Sequence, residues 1–256
     1  MKKMFALAAI AAMFIACGEK PEPQPQPQPG PGTGEGDTYV APITIDGQFA
    51  DWNALDASKV ASATLPTGTV KHDGLNTLKV YADESFIYVY FEFNDEVIAD
   101  KSWVPFHLYF NTDNDTTTGG GADEWGEPYC CDWMCEATIF DGGTFCSWDL
   151  GLFPWGGAAG ESGWSWDATP ESEPSDADAW GALIESGNGC SSGAGAGNAY
   201  EIAITKEMLP VEWADTFTVG ADIQQEWTTC GFLPQAEATD ENPNGHIELL
   251  TVTTVK

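Results

Sequence analysis

The sequence predicts an all-β fold, an antiparallel sandwich of the jelly-roll or immunoglobulin-like two-sheet type. Short segments rich in aromatic and β-branched residues recur along the chain, and turn-forming residues separate them, which is typical of two packed sheets. The helical signal is confined to one turn at 206–209, which Pro210 ends. A long Gly- and Trp-rich insertion at 150–198 lacks periodicity and is predicted as a loop, the kind of segment that often carries function.

The first sixteen residues have the pattern of a signal peptide. Two lysines precede the apolar run 4–15, which is too short to span a bilayer. The run ends in Phe-Ile-Ala-Cys, which resembles the lipobox of bacterial lipoproteins, with Phe14 where Leu is usual. The resemblance implies cleavage before Cys17, acylation of that residue, and an outer-membrane or cell-surface location in which the lipid is the membrane anchor.

Residues 17–38 are predicted to form a tether between the acylated cysteine and the folded domain. Proline alternates there with Gln, Glu and Gly, and such segments adopt extended polyproline II structure. At ~3.1 Å per residue, the tether would hold the domain up to roughly 60 Å from the membrane. Residues 39–256 follow without a second linker and are predicted to form a single sandwich domain.

Strands are predicted from the content of aromatic and β-branched residues. The strongest is 86–93, Phe-Ile-Tyr-Val-Tyr-Phe-Glu-Phe, and an Asp-Glu-Ser turn joins it to 77–81. The other predicted strands are 106–110, 136–140, 144–148, 199–204, 217–225 and 246–255.

The composition excludes nucleic-acid binding. The formal net charge is −31, and all nine basic residues are lysines. Such a surface repels phosphate backbones and anionic lipids. Neutral ligands and cations remain compatible with it.

Six cysteines follow Cys17. An even number in an exported chain favours up to three disulfides, for which fifteen pairings exist. A zinc site is the alternative for the clustered cysteines, but the Cys-x-x-Cys spacing of such sites is missing. The disulfide candidates are Cys130, Cys131, Cys135, Cys146, Cys190 and Cys230.

An oxygen-rich loop follows the predicted strand 106–110. Its acidic and amide residues are spaced two apart, and glycines 119–121 let the chain turn back so that a further carboxylate faces the same point. Hard oxygen ligands without His or Cys suit calcium. Thr116 and Ala122 stand where an EF-hand needs Gly and Glu, which excludes that motif. A solvated turn without metal is the alternative. The candidate ligands are Asn111, Asp113, Asp115 and Asp123.

Four short motifs follow one another along 43–256. They are Ile-Asp-Gly-x-x-x-Asp-Trp at 45–52, Asp-Glu-Ser-Phe-Ile-Tyr-Val-Tyr at 83–90, Asn-Thr-Asp at 111–113, and Tyr-Glu-Ile-Ala-Ile at 200–204. In this order they resemble the opening motif, the hairpin, the acidic strand end and the late strand of family 9 carbohydrate-binding modules and their DOMON-like relatives.

This resemblance implies a calcium-supported sandwich that clamps a sugar between two tryptophans. Trp103, before the acidic strand end, and Trp227, before the last strand, are the closest matches. The loop lengths around both, the cysteines and the 150–198 insertion depart from the family pattern.

The chain has eleven tryptophans, and several lie in Gly- and Asp-rich segments that cannot bury them all. A flat indole packs on the C–H face of a pyranose while nearby carboxylates accept hydrogen bonds from its hydroxyls. Small cores inside disulfide-linked loops are the alternative use. The additional candidates for sugar contact are Trp125, Trp133 and Trp155.

No catalytic residue is assigned, and the chain is not predicted to be an enzyme. Gly-Cys-Ser-Ser-Gly at 189–193 matches Gly-x-Ser-x-Gly, but a Gly-Ala repeat follows it where a nucleophile elbow needs a helix. DOMON relatives can bind haem, so His107 with Met134 or Met208 is an alternative axial pair.

The sequence therefore predicts a lipid-anchored surface protein that binds a polysaccharide or oligosaccharide, with calcium support and without turnover. The alternative is a cell-surface adhesion or assembly protein with a protein-binding face. Outward-facing Trp103 and Trp227 would favour sugar binding, and burial of both would favour a protein partner.

Overall fold

The computed structural model describes residues 39–120, 131–146, 151–155, 191–206, 212–237, 239–243 and 247–256. The predicted signal peptide, Cys17 and the predicted tether lie outside the described residues. None of the helices within the described residues is long and apolar enough to cross a membrane.

Two antiparallel sheets pack face to face, which confirms the predicted sandwich. The five-stranded sheet has the order β1-β2-β3-β9-β8; the seven-stranded sheet has the order β11-β10-β4-β5-β6, with β12 beside β10 and β7 beside β5. The strands are β1 (Ala61–Thr64), β2 (Leu75–Ala82), β3 (Phe86–Phe93), β4 (Trp103–Asn111), β5 (Trp133–Asp141), β6 (Thr144–Phe145), β7 (Gly151–Pro154), β8 (Ser191–Ala196), β9 (Ala199–Thr205), β10 (Thr216–Gln225), β11 (Thr228–Leu233) and β12 (Leu250–Thr253). A helix α1 (Ala50–Ala54) and a 3-10 turn (Ala57–Lys59) precede β1.

The main core lies between the two sheets. Alternate residues of β3, such as Val89 and Phe91, meet alternate residues of β4, such as Phe106 and Leu108. Because successive side chains of a strand point to opposite faces, the residues between them lie on the two outer faces of the sandwich. The two outer faces differ in what covers them.

The outer face of the five-stranded sheet is covered by the segment that precedes β1. Ile43, Ile45 and Trp52 pack there on aromatic residues of β3, including Tyr88 and Tyr90. The first of the four sequence motifs therefore forms a second, smaller core.

The fully buried Glu201 of β9 fixes this cover. It accepts hydrogen bonds from Trp52 Nε1 (2.9 Å) and from the backbone N–H groups of Gly47 (2.9 Å) and Asp46 (3.1 Å). Burial raises the pKa of Glu201, and the three donors oppose that rise. The opening motif and the late Tyr-Glu motif thus meet at one carboxyl group.

Most predicted strands are present, and 86–93 has the predicted bounds. The predicted loop at 150–198 is wrong in two places: β7 forms at 151–154 and pairs with β5, and β8 forms an edge strand at 191–196. A Cβ on Gly193 would overlap Tyr200, and one on Gly195 would overlap Phe145. Tyr200 of the adjacent strand β9 and Phe145 of β6 in the other sheet fill the side-chain space there, which a Gly-Ala pattern does not reveal. Residues 156–190, and residues 207–209 of the predicted helical turn, lie outside the described residues.

Candidate functional site

A charged row crosses the outer face of the seven-stranded sheet. Asp222 of β10, His107 of β4 and Glu136 of β5 are register partners on three adjacent strands. Their chain neighbours Phe106, Leu108 and Ala221 belong to the core, so the three charged side chains point away from it.

His107 lies between the two carboxylates and is only 5% exposed. Its Nδ1 is 2.8 Å from Asp222 Oδ1, and its Nε2 is 2.9 Å from Glu136 Oε2. The backbone N–H of His107 also donates to Asp222 Oδ1 at 3.1 Å. Both ring nitrogens are therefore engaged by carboxylates.

Three further donors surround Asp222, which is fully buried. Its Oδ2 accepts from Tyr109 Oη (3.3 Å), Gln224 Nε2 (3.3 Å) and Thr229 Oγ1 (3.4 Å). A buried carboxylate with this many donors holds a fixed position.

The network holds His107 in its charged form. Burial alone would lower the pKa of His107, but the charge and hydrogen bonds of Asp222 and Glu136 outweigh burial and raise the pKa to about 10. An imidazolium at neutral pH donates from both nitrogens, so it has no lone pair for a proton or for iron. The arrangement does not suit a general base, and it does not fit the alternative of His107 as a haem ligand; Met208 lies outside the described residues.

The two tryptophans that the family resemblance singles out contact each other on this face. The ring centroids of Trp103 and Trp227 are 4.5 Å apart, with the planes inclined at 63°. Trp103 is half-buried, whereas Trp227 is 65% exposed. The structure thus brings together two residues that are more than a hundred positions apart in the sequence.

A tight hairpin turn between β10 and β11 presents Trp227. Glu226 and Trp227 have φ angles of 49° and 63°, which suits the two-residue turn that favours Asn-Gly. A bulky residue in this left-handed region is an outlier, and such a conformation costs on the order of 1–3 kcal/mol. The fold therefore holds an exposed indole at an energetic cost.

A bulge and a hydrogen bond position Trp103 beside this turn. Register slips between Val104 and Pro105, directly after Trp103, and a bulge is where an internal strand tolerates proline. Gln225 Nε2 donates to the carbonyl of Asp100 at 2.9 Å, which ties the turn to the segment that leads into β4.

The other predicted sugar-contacting tryptophans have different surroundings. Trp133 is half-buried against the main core. Trp155 is half-buried against a small outer-face cluster that includes Tyr109 and Met134. Trp125 lies outside the described residues. The structure brings Trp103 and Trp227 into ring contact.

The predicted calcium loop is only partly assembled from the predicted side chains. Asn111 is 3% exposed; its Nδ2 donates to the Asp115 carbonyl at 3.2 Å, while its Oδ1 is buried without a partner. Asp115 Oδ1 accepts from the Thr117 hydroxyl (2.6 Å) and N–H (2.8 Å), and these bonds lower the pKa of Asp115. Asp123 lies outside the described residues.

The sequence analysis missed Asp132, which meets this loop from the start of β5. Its Oδ2 accepts from Thr112 N–H at 2.8 Å, and its Oδ1 lies 3.4 Å from Thr118 Oγ1. That hydroxyl is also 3.2 Å from Asp113 Oδ2 and 3.4 Å from the Asp115 carbonyl. Burial, followed by the charge of Asp113, raises the pKa of Asp132.

Several oxygens therefore converge on one hydroxyl, which has a single hydrogen to donate. No group of three or more His, Cys, Asp or Glu side chains suited to a metal ion occurs among the described residues. Asp132 N–H donates to the Phe110 carbonyl at 2.7 Å, next to the β4–β5 pairing. Knowledge of this pairing would have been needed to predict that Asp132 lies beside the loop.

The structure shows no disulfide joining two of the described cysteines, Cys131, Cys135, Cys146 and Cys230. The thiol of Cys230 donates to the Ile223 carbonyl at 3.2 Å, and burial raises its pKa to about 12. Cys230 thus stands outside the predicted disulfide set. Cys130 and Cys190 lie outside the described residues, and pairing that involves them stays a prediction.

Comparison of the chain with models of known protein families gives no match, and comparison with the curated proteins gives none either.

Proposed function

We propose that this chain binds carbohydrate, without transforming it, on the outer face of the seven-stranded sheet. The observation that carries the proposal is Trp227, an indole held 65% exposed in a left-handed turn and in contact with Trp103. Strain that persists in a fold is a basis for inferring function. A paired, exposed indole surface is suited to the C–H face of a sugar ring.

In the charged row on the same face, Glu136 supplies a fixed acceptor for sugar hydroxyls. Glu136 keeps 34% of its side chain exposed, and one of its oxygens is bound by His107. The four positions from His107 back to Trp103 correspond to roughly 13 Å along β4. A bound oligosaccharide could therefore lie on the tryptophans and extend toward Glu136.

His107 supports the proposal of binding without catalysis, because both of its ring nitrogens are engaged by carboxylates. A base needs a lone pair near its working pH, and the raised pKa of His107 removes it. Its role in this proposal is to orient Glu136 and Asp222.

We also propose the anchoring and location that the sequence predicts: the chain is acylated at Cys17, and a tether connects the domain to the outer membrane or cell surface. Kinship with family 9 carbohydrate-binding modules is part of the same proposal. It is supported by the contacts between the opening motif and the Tyr-Glu motif at Glu201.

Calcium is proposed as a structural ion at the loop that joins β4 to the segment before β5. The oxygens that suit it are the Asp113 and Asp132 carboxylates, the Asp115 carbonyl and Asn111 Oδ1, whose burial without a partner supports a ligand role. Calcium binding would supply positive charge among these oxygens and hold the loop to the start of β5.

Affinity electrophoresis of residues 39–256 through a panel of polysaccharides tests the proposal. We expect one glycan to retard the protein, and Trp227→Ala or Trp103→Ala to abolish the retardation. Val70→Ala is the matched control, since Val70 is 87% exposed and lies outside this face's strands. Unchanged mobility in every gel would overturn the proposal and favour the protein-binding alternative.

A further inference from the structure

Two carboxylates flank the tryptophan pair. Asp141 is the register partner of Trp103, and directly opposite residues share a face with their Cβ atoms roughly 4.5–5.5 Å apart. Glu226 is the other residue of the turn that presents Trp227. Neither carboxylate takes part in a hydrogen bond or ion pair with another described residue.

The positively charged side chains on and beside this face, His107 and Lys101, are already paired with carboxylates. Strands β4, β5, β10 and β11 contain no lysine. His107 lies between two carboxylates, so this charged row keeps a net negative charge. Lys101, close to Trp103 in the chain, pairs with Asp95 at 2.7 Å and lies over the rings of Phe93 and Phe140.

We propose that the glycan held at the tryptophan pair carries a protonated amine, as a 2-amino sugar does. This inference rests on the proposed function and names its substrate class. An ammonium group gains from the face of an indole, the best of the aromatic rings for cations. It also gains from the unpaired Asp141 and Glu226, because close unlike charges attract.

The same arrangement disfavours acidic sugars. A uronate placed on Trp227 would meet Asp141 and Glu226 as like charges, and the net charge of −31 adds to the repulsion. A neutral sugar gains the stacking contact alone. The expected order of affinity is therefore amine, then neutral, then carboxylate.

The test compares β-1,4-linked oligosaccharides of equal length in three forms: glucose, glucosamine and glucuronic acid. Binding is measured by calorimetry at low and at high salt. We expect the glucosamine form to bind roughly tenfold more tightly than the glucose form at low salt, and the difference to shrink at high salt because salt screens exposed charges.

Charge-removing variants separate the local effect from general attraction of a cation to an acidic protein. Asp141→Asn combined with Glu226→Gln should remove the preference for the amine and retain affinity for the neutral form. Glu84→Gln combined with Glu212→Gln is the matched control: it changes the net charge equally, at exposed positions outside this face, and should retain the preference.

The outcomes separate the two proposals. Equal binding of the amine and neutral forms, or tighter binding of the uronate, would overturn the inference that the glycan carries an amine. The proposal of glycan binding would remain. A preference that survives in Asp141→Asn with Glu226→Gln would also overturn it. Absence of binding by all three forms overturns the amine inference, whereas the polysaccharide panel decides glycan binding by itself.

Discussion

Trp52 and Trp227, which lie on the two outer faces of this sandwich, have opposite surroundings. On the five-stranded sheet, Trp52 is 4% exposed, and its N–H donates to the buried Glu201. On the seven-stranded sheet, Trp227 is 65% exposed in a strained turn, and its partner is another tryptophan. The first face has become a second core, whereas the second presents charge and indole to the solvent. The comparison indicates that the second face is the one available for a ligand.

The largest effect is expected on the covered face. Trp52→Ala removes a buried ring and the donor to Glu201, and should lower the free energy of unfolding by about 3–5 kcal/mol. Urea denaturation measures it. Trp52→Phe, which keeps most of the ring but not the N–H, should lie between the wild type and the alanine variant. A loss below about 1 kcal/mol would mean that the segment before β1 is not a second core, and the comparison would fail.

The charged row gives the next largest effect, through pH. His107 has its pKa raised from 6.5 to about 10 in the folded protein, so the stabilisation is complete below about pH 6.5 and is lost as the pH rises toward 10. At about 1.4 kcal/mol per pKa unit, the loss should amount to a few kcal/mol. Urea denaturation at pH 6, 8 and 10 measures it.

A variant identifies the group responsible for that pH dependence. His107→Gln retains polarity but cannot titrate, and its free energy of unfolding should lack this decline. The variant should be less stable than the wild type at pH 6, because Asp222 then remains buried without an opposite charge. A decline of the same size in both proteins would contradict the role of His107.

The sequence predicted the outer face of the five-stranded sheet, which the segment before β1 covers, better than the open outer face of the seven-stranded sheet. The strand 86–93 was found with its observed bounds because aromatic and β-branched residues are themselves the strand signal. The motif residues that meet Glu201 were also recognised, although as markers of a family rather than as a cover.

The open face depends on pairing between strands that lie far apart in the chain. His107, Asp222 and Glu136 became a row only through the β10–β4–β5 register, and Asp132 joined the acidic loop by the same β4–β5 pairing. Trp103 and Trp227 were named from the resemblance, yet no local pattern shows that their rings touch. Long-range register, rather than residue type, is what the sequence left undetermined.

Calcium bound at the loop after β4 should add a smaller stabilisation. At one hundred times its Kd, a single bound ion would raise the free energy of unfolding by about 2.7 kcal/mol. Thermal denaturation with calcium and with chelator measures it. Asp132→Asn should abolish the difference, whereas Asp240→Asn, at an exposed position outside the loop, should retain it. Equal melting temperatures in calcium and chelator would contradict the calcium site.

The smallest effect on stability is expected for Trp227→Gly. A small effect would distinguish Trp227, proposed to bind a ligand, from Trp52, which stabilises the fold. Glycine adopts positive φ without strain, so the variant recovers about 1–3 kcal/mol of turn strain. It loses the contact with Trp103, about 0.5–1.5 kcal/mol, and gains unfolded-state entropy that costs about 0.4–1 kcal/mol. These contributions nearly cancel, so the free energy of unfolding should change by less than about 1 kcal/mol while glycan retardation disappears. A loss above about 2 kcal/mol in urea denaturation would instead give Trp227 the structural role that Trp52 has, and the distinction between the two faces would be lost.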